Sequence, residues 1–378
     1  MIRVWDRNWI ANAATKNQIP PSIPMTNERP QQGNRLLQAA ADLFPGYFAL
    51  VMATGIISIA AHLLEMRTVA LALLVINVVA YVVLWLLLSL RLLLFFPRIR
   101  ADITDHVRGP GFFTVVAGTC VLGSQLIIVA GRDGVAALLW LAALVFWVVI
   151  MYTFFTAVTV RENKPSLETG LNGAWLIAVV ATQSISVLGT LLVTRWVAYR
   201  EPLLFFTFCM FLIGCMLYVL LITLIFYRFT FVNVTTATLT PPYWINMGAV
   251  AITTLAGARL ILAAPGWSFL QDVLPFLKGF TLFFWAAGTW WIPLLFILGI
   301  WRHVYKRFPL RYDPQYWGMV FPLGMYTVCT FQLANAIGFA PLLIIPRYFI
   351  YFAFVGWLVT AIALVHKLLF RTSSRFAA

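Results

Sequence analysis

The sequence predicts an all-α integral membrane protein: ten transmembrane helices forming five helical hairpins in a pseudo-fivefold ring, with the odd helices lining a central pore. Three observations predict this. The 378 residues are 62% hydrophobic and 10% charged, with a mean hydropathy of +0.91, and no water-soluble domain is built this way. Apolar stretches recur at the roughly 20 residues that a helix needs to cross a bilayer core of about 30 Å. Five times, a stretch rich in Gly, Ala, Ser and Thr is followed by one rich in Leu, Val, Phe and Trp, with short polar breaks between. The apolar runs lack the period-two alternation of barrel strands, so helices are the only spanning structure that satisfies their backbones.

Residues 1–42 are polar and bear Pro, Asn and Gln, without the apolar stretch and cleavage site of a signal peptide, and read as a flexible cytoplasmic amino tail. A single pore domain, 43–370, follows. Its spans are expected at Leu43 to Leu64, Val69 to Leu94, Gly111 to Ala130, Val135 to Val158 and Gly173 to Val193. The second half continues with Pro202 to Phe226, Pro242 to Leu262, Leu274 to Ile300, Pro314 to Gly338 and Pro346 to Leu369. Residues 371–378 form a short carboxyl tail.

Basic residues set the orientation, because loops rich in Lys and Arg stay in the cytoplasm. The two tails and the even-to-odd connections hold 19 Lys and Arg, the opposite side holds six, and Arg259 lies inside a span, accounting for all 26. Both termini therefore face the cytoplasm and each odd helix runs outward, as expected of a multi-pass plasma (inner) membrane protein. The net charge of +14 reflects this topology and attraction to anionic lipid rather than nucleic acid.

The odd spans share an internal repeat. Pro45-Gly46-Tyr47-Phe48 leads to Thr54-Gly55, and Pro110-Gly111-Phe112-Phe113 leads to Thr119, nine positions from Pro to Thr in both. Asn172-Gly173-Ala174-Trp175 leads to Thr182, Pro241-Pro242-Tyr243-Trp244 to Thr253, and Tyr316-Trp317-Gly318 to Thr327, within one or two positions of that register. Hairpins repeated in one orientation close naturally into a ring, with one helix of each inside and its bulky partner outside. Small residues allow close packing or leave a passage. On the second reading, Thr54, Gly55, Thr119, Thr182, Thr253 and Thr327 line the pore.

All twelve Asp and Glu fall in tails, loops or span edges. Intramembrane carboxylates mark cation sites and proton relays, so a passage without them, with basic residues at its mouths, favours anions. Arg259 is the single charge well inside a span, and is either an anion-attracting residue of the outer vestibule or an arginine snorkelling to the interface. Gln125, Gln183, Asn246, Gln332 and Asn335 also lie on odd helices, where interhelical hydrogen bonding explains most amides. Cys120, Cys209, Cys215 and Cys329 lack metal-like spacing, and His62, His106, His303 and His366 are far apart, so neither metal nor cofactor is expected.

The run Phe44-Pro45-Gly46-Tyr47-Phe48-Ala49-Leu50-Val51-Met52-Ala53-Thr54-Gly55-Ile56-Ile57-Ser58 resembles the opening helix of the tellurite-resistance/dicarboxylate transporter family. That family includes bacterial tellurite-resistance permeases, yeast malate and sulfite transporters and plant guard-cell slow anion channels. Trp317-Gly318-Met319-Val320-Phe321-Pro322-Leu323 is similar to its gate-bearing helix. Ala53 departs from the glycine often found in the first motif. The resemblance implies five hairpins around a pore, a homotrimer with one pore per subunit, and an aromatic plug at Phe321 beside Pro322. A bulky ring can close an apolar constriction by dewetting, and a proline lets the helix kink. The implied function is an anion channel or permease for small anions such as C4-dicarboxylate, sulfite, tellurite-type oxyanions, chloride or nitrate. A proton-coupled transporter is the alternative. A polytopic enzyme would need clustered acids, bases or ligands inside the spans, and a receptor would have no use for the repeat.

Overall fold

The computed structural model describes residues 35–373. Residues 1–34 and 374–378, most of the two expected tails, lie outside the described residues. Ten helical segments among the described residues, most counted with a flanking 3₁₀ turn, are long and apolar enough to cross a membrane; their α-helical parts are α1 (Ala49–Leu63), α2 (Arg67–Leu94), α3 (Phe113–Ala130), α4 (Asp133–Val160), α5 (Ile177–Leu192), α6 (Arg200–Phe231), α7 (Ile245–Ala263), α8 (Leu274–Ile300), α9 (Trp317–Ile337) and α10 (Ile344–Ser373). The chain is therefore an all-α membrane protein. Several ends differ from the sequence expectation: α10 runs to Ser373, into the expected carboxyl tail, and a π-helical turn, Trp301–Tyr305, extends α8. Residues Arg35–Ala41 form a short helix rather than unstructured tail, and α6 continues five residues past Phe226. The extra turn is held because Arg228 turns inward, donating to the backbone oxygen of Glu168 at 3.0 Å and to the hydroxyl of Tyr243.

Each odd helix opens with one 3₁₀ turn: Pro45–Phe48, Gly109–Phe112, Gly173–Leu176, Pro241–Trp244 and Pro314–Tyr316. Four of these carry proline in the first two positions, where the missing N–H is an orphan donor of the helix start anyway. The Gly173 turn instead uses Asn172, whose side chain accepts from the amide of Ala174 at 2.9 Å. The motif visible in the sequence is thus a helix-start device used five times. At the other end, Gly131 (φ +62°) and Gly338 (φ +70°) close α3 and α9 in the left-handed conformation that glycine adopts without strain.

Burial separates two sets of helices. In every odd helix at least 78% of the spanning window is buried, and in every even helix at most 44%. The odd helices touch in cyclic order, α1 to α3 to α5 to α7 to α9, and α9 closes on α1. Their five 3₁₀ turns close a smaller ring in the same order. Each even helix packs on the odd helix before it and, less closely, on the one after. Exposed Val75, Leu86, Leu138, Val145, Val355 and Leu358 give the even helices an apolar outer surface suited to acyl chains.

Candidate functional site

A narrow cavity of about 30 Å³ lies among the carboxy-terminal halves of the inner helices. All five contribute: Ile56 and Ile59 from α1; Cys120, Val121, Ser124 and Ile128 from α3; Ser184, Val187 and Leu191 from α5; Ile252, Leu255 and Arg259 from α7; and Met325, Val328 and Gln332 from α9. These positions recur every three or four residues, so one stripe of each helix faces a common axis. No carboxylate borders the cavity.

One turn towards the amino ends, at four residues before a lining residue, the same stripes carry Met52, Ala117, Val180, Gly248 and Phe321. All five are buried and apolar, and Phe321 is the single aromatic among them. Phe321, Met325, Val328 and Gln332 recur at helical spacing on one face of α9, which puts Phe321 one turn below the cavity-lining Met325. The adjoining Pro322 packs against α7 at Gly248, where an added Cβ would lie 2.6 Å from the proline Cγ. The residues that the resemblance implies for a gate thus stand on the axial stripe and at its backing contact.

Arg259 faces the cavity wall. It makes no hydrogen bond or ion pair among the described residues, and its buried Nε has no partner. Gln332, from the neighbouring α9, and Ser124, from α3, also line the cavity. Ser184 differs, because its hydroxyl donates to the carbonyl of Val180 at 2.7 Å.

The six residues expected to line the pore border no part of this cavity. Thr54 accepts from Trp357 Nε1 of α10 at 2.9 Å, and Thr182 accepts from Trp147 Nε1 of α4 at 2.9 Å. Thr119 donates to Val115 O at 2.7 Å, leaving its oxygen to accept from Tyr81 of α2 at 3.0 Å. These three hydroxyls face the outer ring. Thr253 and Thr327 donate back to Ala249 and Leu323 of their own helices. Gly55 stands against α2 and α3, where a Cβ would lie 2.7 Å from Val121 and 2.8 Å from Asn77 Nδ2. Asn77 in turn donates to Gln125 at 2.7 Å. At three of the five repeat positions the threonine is therefore an anchor between rings, and on α9 Thr330 does this instead, accepting from Trp285 of α8 at 3.0 Å.

The amino-terminal end of the inner ring carries a second buried polar group that the sequence reading missed. Asp102, 8% exposed, accepts from Arg91 at 2.7 Å and from Arg108 at 2.6 Å. Beside it, burial and then the nearby Arg161 hold His106 below the ordinary histidine range. Among the described residues, no three His, Cys, Asp or Glu side chains cluster as metal ligands would.

Five apolar hairpins closed around an acid-free axial cavity define a polytopic membrane protein built around a passage for solute. The voltage-dependent anion channel family SLAC1 matches residues 42–365, and the chain belongs to that family. A Mycobacterium tuberculosis protein named as an uncharacterized membrane protein is 39% identical over 153 residues, covering 40% of this chain and 77% of its own. Two Methanocaldococcus jannaschii proteins named as uncharacterized transporters are each 23% identical. One aligns over 349 residues, 88% of this chain and 95% of its own, and the other over 331, 85% and 93%.

Proposed function

We propose that the chain conducts small inorganic or organic anions down their gradient through the axis of the inner ring, and that the Phe321 ring, with Pro322 beside it, is the gate. The observation that carries this reading is the cavity wall. Five helices meet there without a carboxylate, and the one charge they bring is an arginine with no partner among the described residues. A positive charge in an acid-free passage repels cations and attracts anions. The apolar band at Phe321 supplies a constriction that water leaves readily. Membership of the anion channel family, and the relatives named as transporters, support the same class. The basic end of the ring faces the cytoplasm, with both termini on that side of the plasma (inner) membrane, and the even helices meet lipid and, in a homotrimer, neighbouring subunits.

The test is anion flux in proteoliposomes holding the full chain, across chloride, nitrate, sulfite and succinate. Flux whose reversal potential follows the anion gradient alone is expected. A reversal potential displaced by a pH gradient would identify proton coupling instead, and absence of flux from both the wild type and Phe321→Ala would end the channel reading.

A further inference from the structure

We propose that Arg259, Gln332 and Ser124 form a discrete seat for one small monovalent anion, so that this conduit selects halide- or nitrate-sized anions over dicarboxylates and sulfite-type dianions; this deepens the anion-pore reading and rests on it. The three residues come from α7, α9 and α3 and line one cavity. Counted from the apolar band, Arg259 lies eleven positions beyond Gly248 and Gln332 eleven beyond Phe321, so they stand at one height on helices in direct contact. Ser124 stands seven beyond Ala117, about one turn lower. Long side chains lean towards the amino end of a helix, which carries the guanidinium and the amide down towards the serine hydroxyl.

Their donors are free. Arg259 and Gln332 make no hydrogen bond with any described residue, although Gln332 is only 8% exposed and Arg259 Nε is fully buried. Two other inner-helix amides reach outward, although Asn246, away from the cavity, also has no amide partner among the described residues. Gln125 accepts from Asn77 and Gln183 donates to Phe211 O, each across to an outer helix. Gln332 keeps its amide for the cavity. A guanidinium with five N–H groups, an amide with two and a hydroxyl thus converge on one space that holds no acceptor of comparable strength.

The charge count sets the preference. One guanidinium neutralises one negative charge. A dianion would keep one uncompensated charge against a largely apolar wall, where unpaired charge is unfavourable. The cavity volume of about 30 Å³ accommodates two or three water-sized centres, which suits a halide or nitrate ion and not a four-carbon dicarboxylate.

The experiment uses the full chain in proteoliposomes, with nitrate and succinate as probes and Phe321→Ala as the open-gate background. Nitrate flux is expected to saturate and to exceed succinate flux at least tenfold. Arg259→Gln should raise the half-saturating nitrate concentration about tenfold, equivalent to about 1.4 kcal/mol, and should narrow the nitrate-to-succinate ratio; Arg259→Lys should restore most of both. The uncharged change Gln332→Leu should raise half-saturation about threefold, an effect that long-range attraction by a lone arginine does not produce. Independently of conduction, nitrate but not gluconate should raise the melting temperature of the detergent-solubilised wild type and not of Arg259→Gln. Unaltered concentration dependence and selectivity in Arg259→Gln, or succinate passing as readily as nitrate, would overturn the seat. Nitrate stabilisation without any flux would keep the seat and remove the pore reading.

Discussion

Replacing Phe321 with Ala is the sharpest test of how the passage is closed. The ring is 1% exposed and, apart from it, the band at its level holds Met52, Ala117, Val180 and Gly248. An anion crossing that band sheds its water, and in protein interiors the effective penalty is several kcal/mol per ion. Removing the largest side chain of the five opens a void that water can fill from the cavity above. If hydration lowers the barrier by only about 3 kcal/mol, flux rises about 100-fold, since each 1.36 kcal/mol is a factor of ten.

The assay is nitrate or chloride flux in proteoliposomes, normalised to folded protein by size-exclusion chromatography. A buried Phe→Ala change in a packed core costs about 3–5 kcal/mol, so a stability control is needed. Phe113→Ala supplies it: that ring is also fully buried but packs outward, edge-on to Phe154 of α4 with centroids 5.8 Å apart. Phe113→Ala should lower the melting temperature and leave flux low. Flux from Phe321→Ala within twofold of the wild type, or an equal rise from Phe113→Ala, would refute gating by the axial ring.

Further outcomes follow from the packing. Thr182→Val keeps the side-chain shape but leaves the Trp147 N–H without its acceptor; it should lower stability by about 1 kcal/mol, read as melting temperature, with anion flux unchanged. Asp102→Asn leaves Arg91, whose side chain is 3% exposed, without its charge partner, and should destabilise by about 3 kcal/mol; a melting temperature equal to that of the wild type would contradict a structural ion pair. His106 has a folded-state pKa depressed below its ordinary 6.5. Its contribution is therefore full above about pH 6.5 and is lost as pH falls below that value. A melting series from pH 7.5 to 5.5 should slope downward, and His106→Gln should flatten part of the slope.

The ten spans, their pairing into hairpins and the inner and outer sets were legible because bilayer thickness and residue volume act on composition directly. The repeat was legible too, but its meaning was not. A spacing of nine from Pro45 to Thr54 fixes where along the helix the hydroxyl sits; whether it faces the axis or Trp357 depends on the rotation of α1, which only packing decides. Arg259 stood out as the one charge inside a span. Gln332 and Ser124 did not, because the same residue types serve at Gln125 and Gln183 to bind outer helices. Phe321 is one of 31 phenylalanines, and only the resemblance singled it out before the axial stripe did.

The two rings divide the polar chemistry between them, and that division bears on selectivity. Hydroxyls at Thr54, Thr119, Thr182 and Thr330 are occupied by Trp and Tyr donors from the outer helices, which fixes the rotation of four inner helices. With those hydroxyls turned away, the axial stripes are left almost wholly apolar. An ion on the axis then finds few partners, and each one present carries more weight in a medium of low dielectric constant. The anchors outside thus make the few free donors inside decisive. Changing Arg259 or Gln332 should therefore alter which anion passes, whereas changing any anchoring threonine should alter only how firmly the ring holds together.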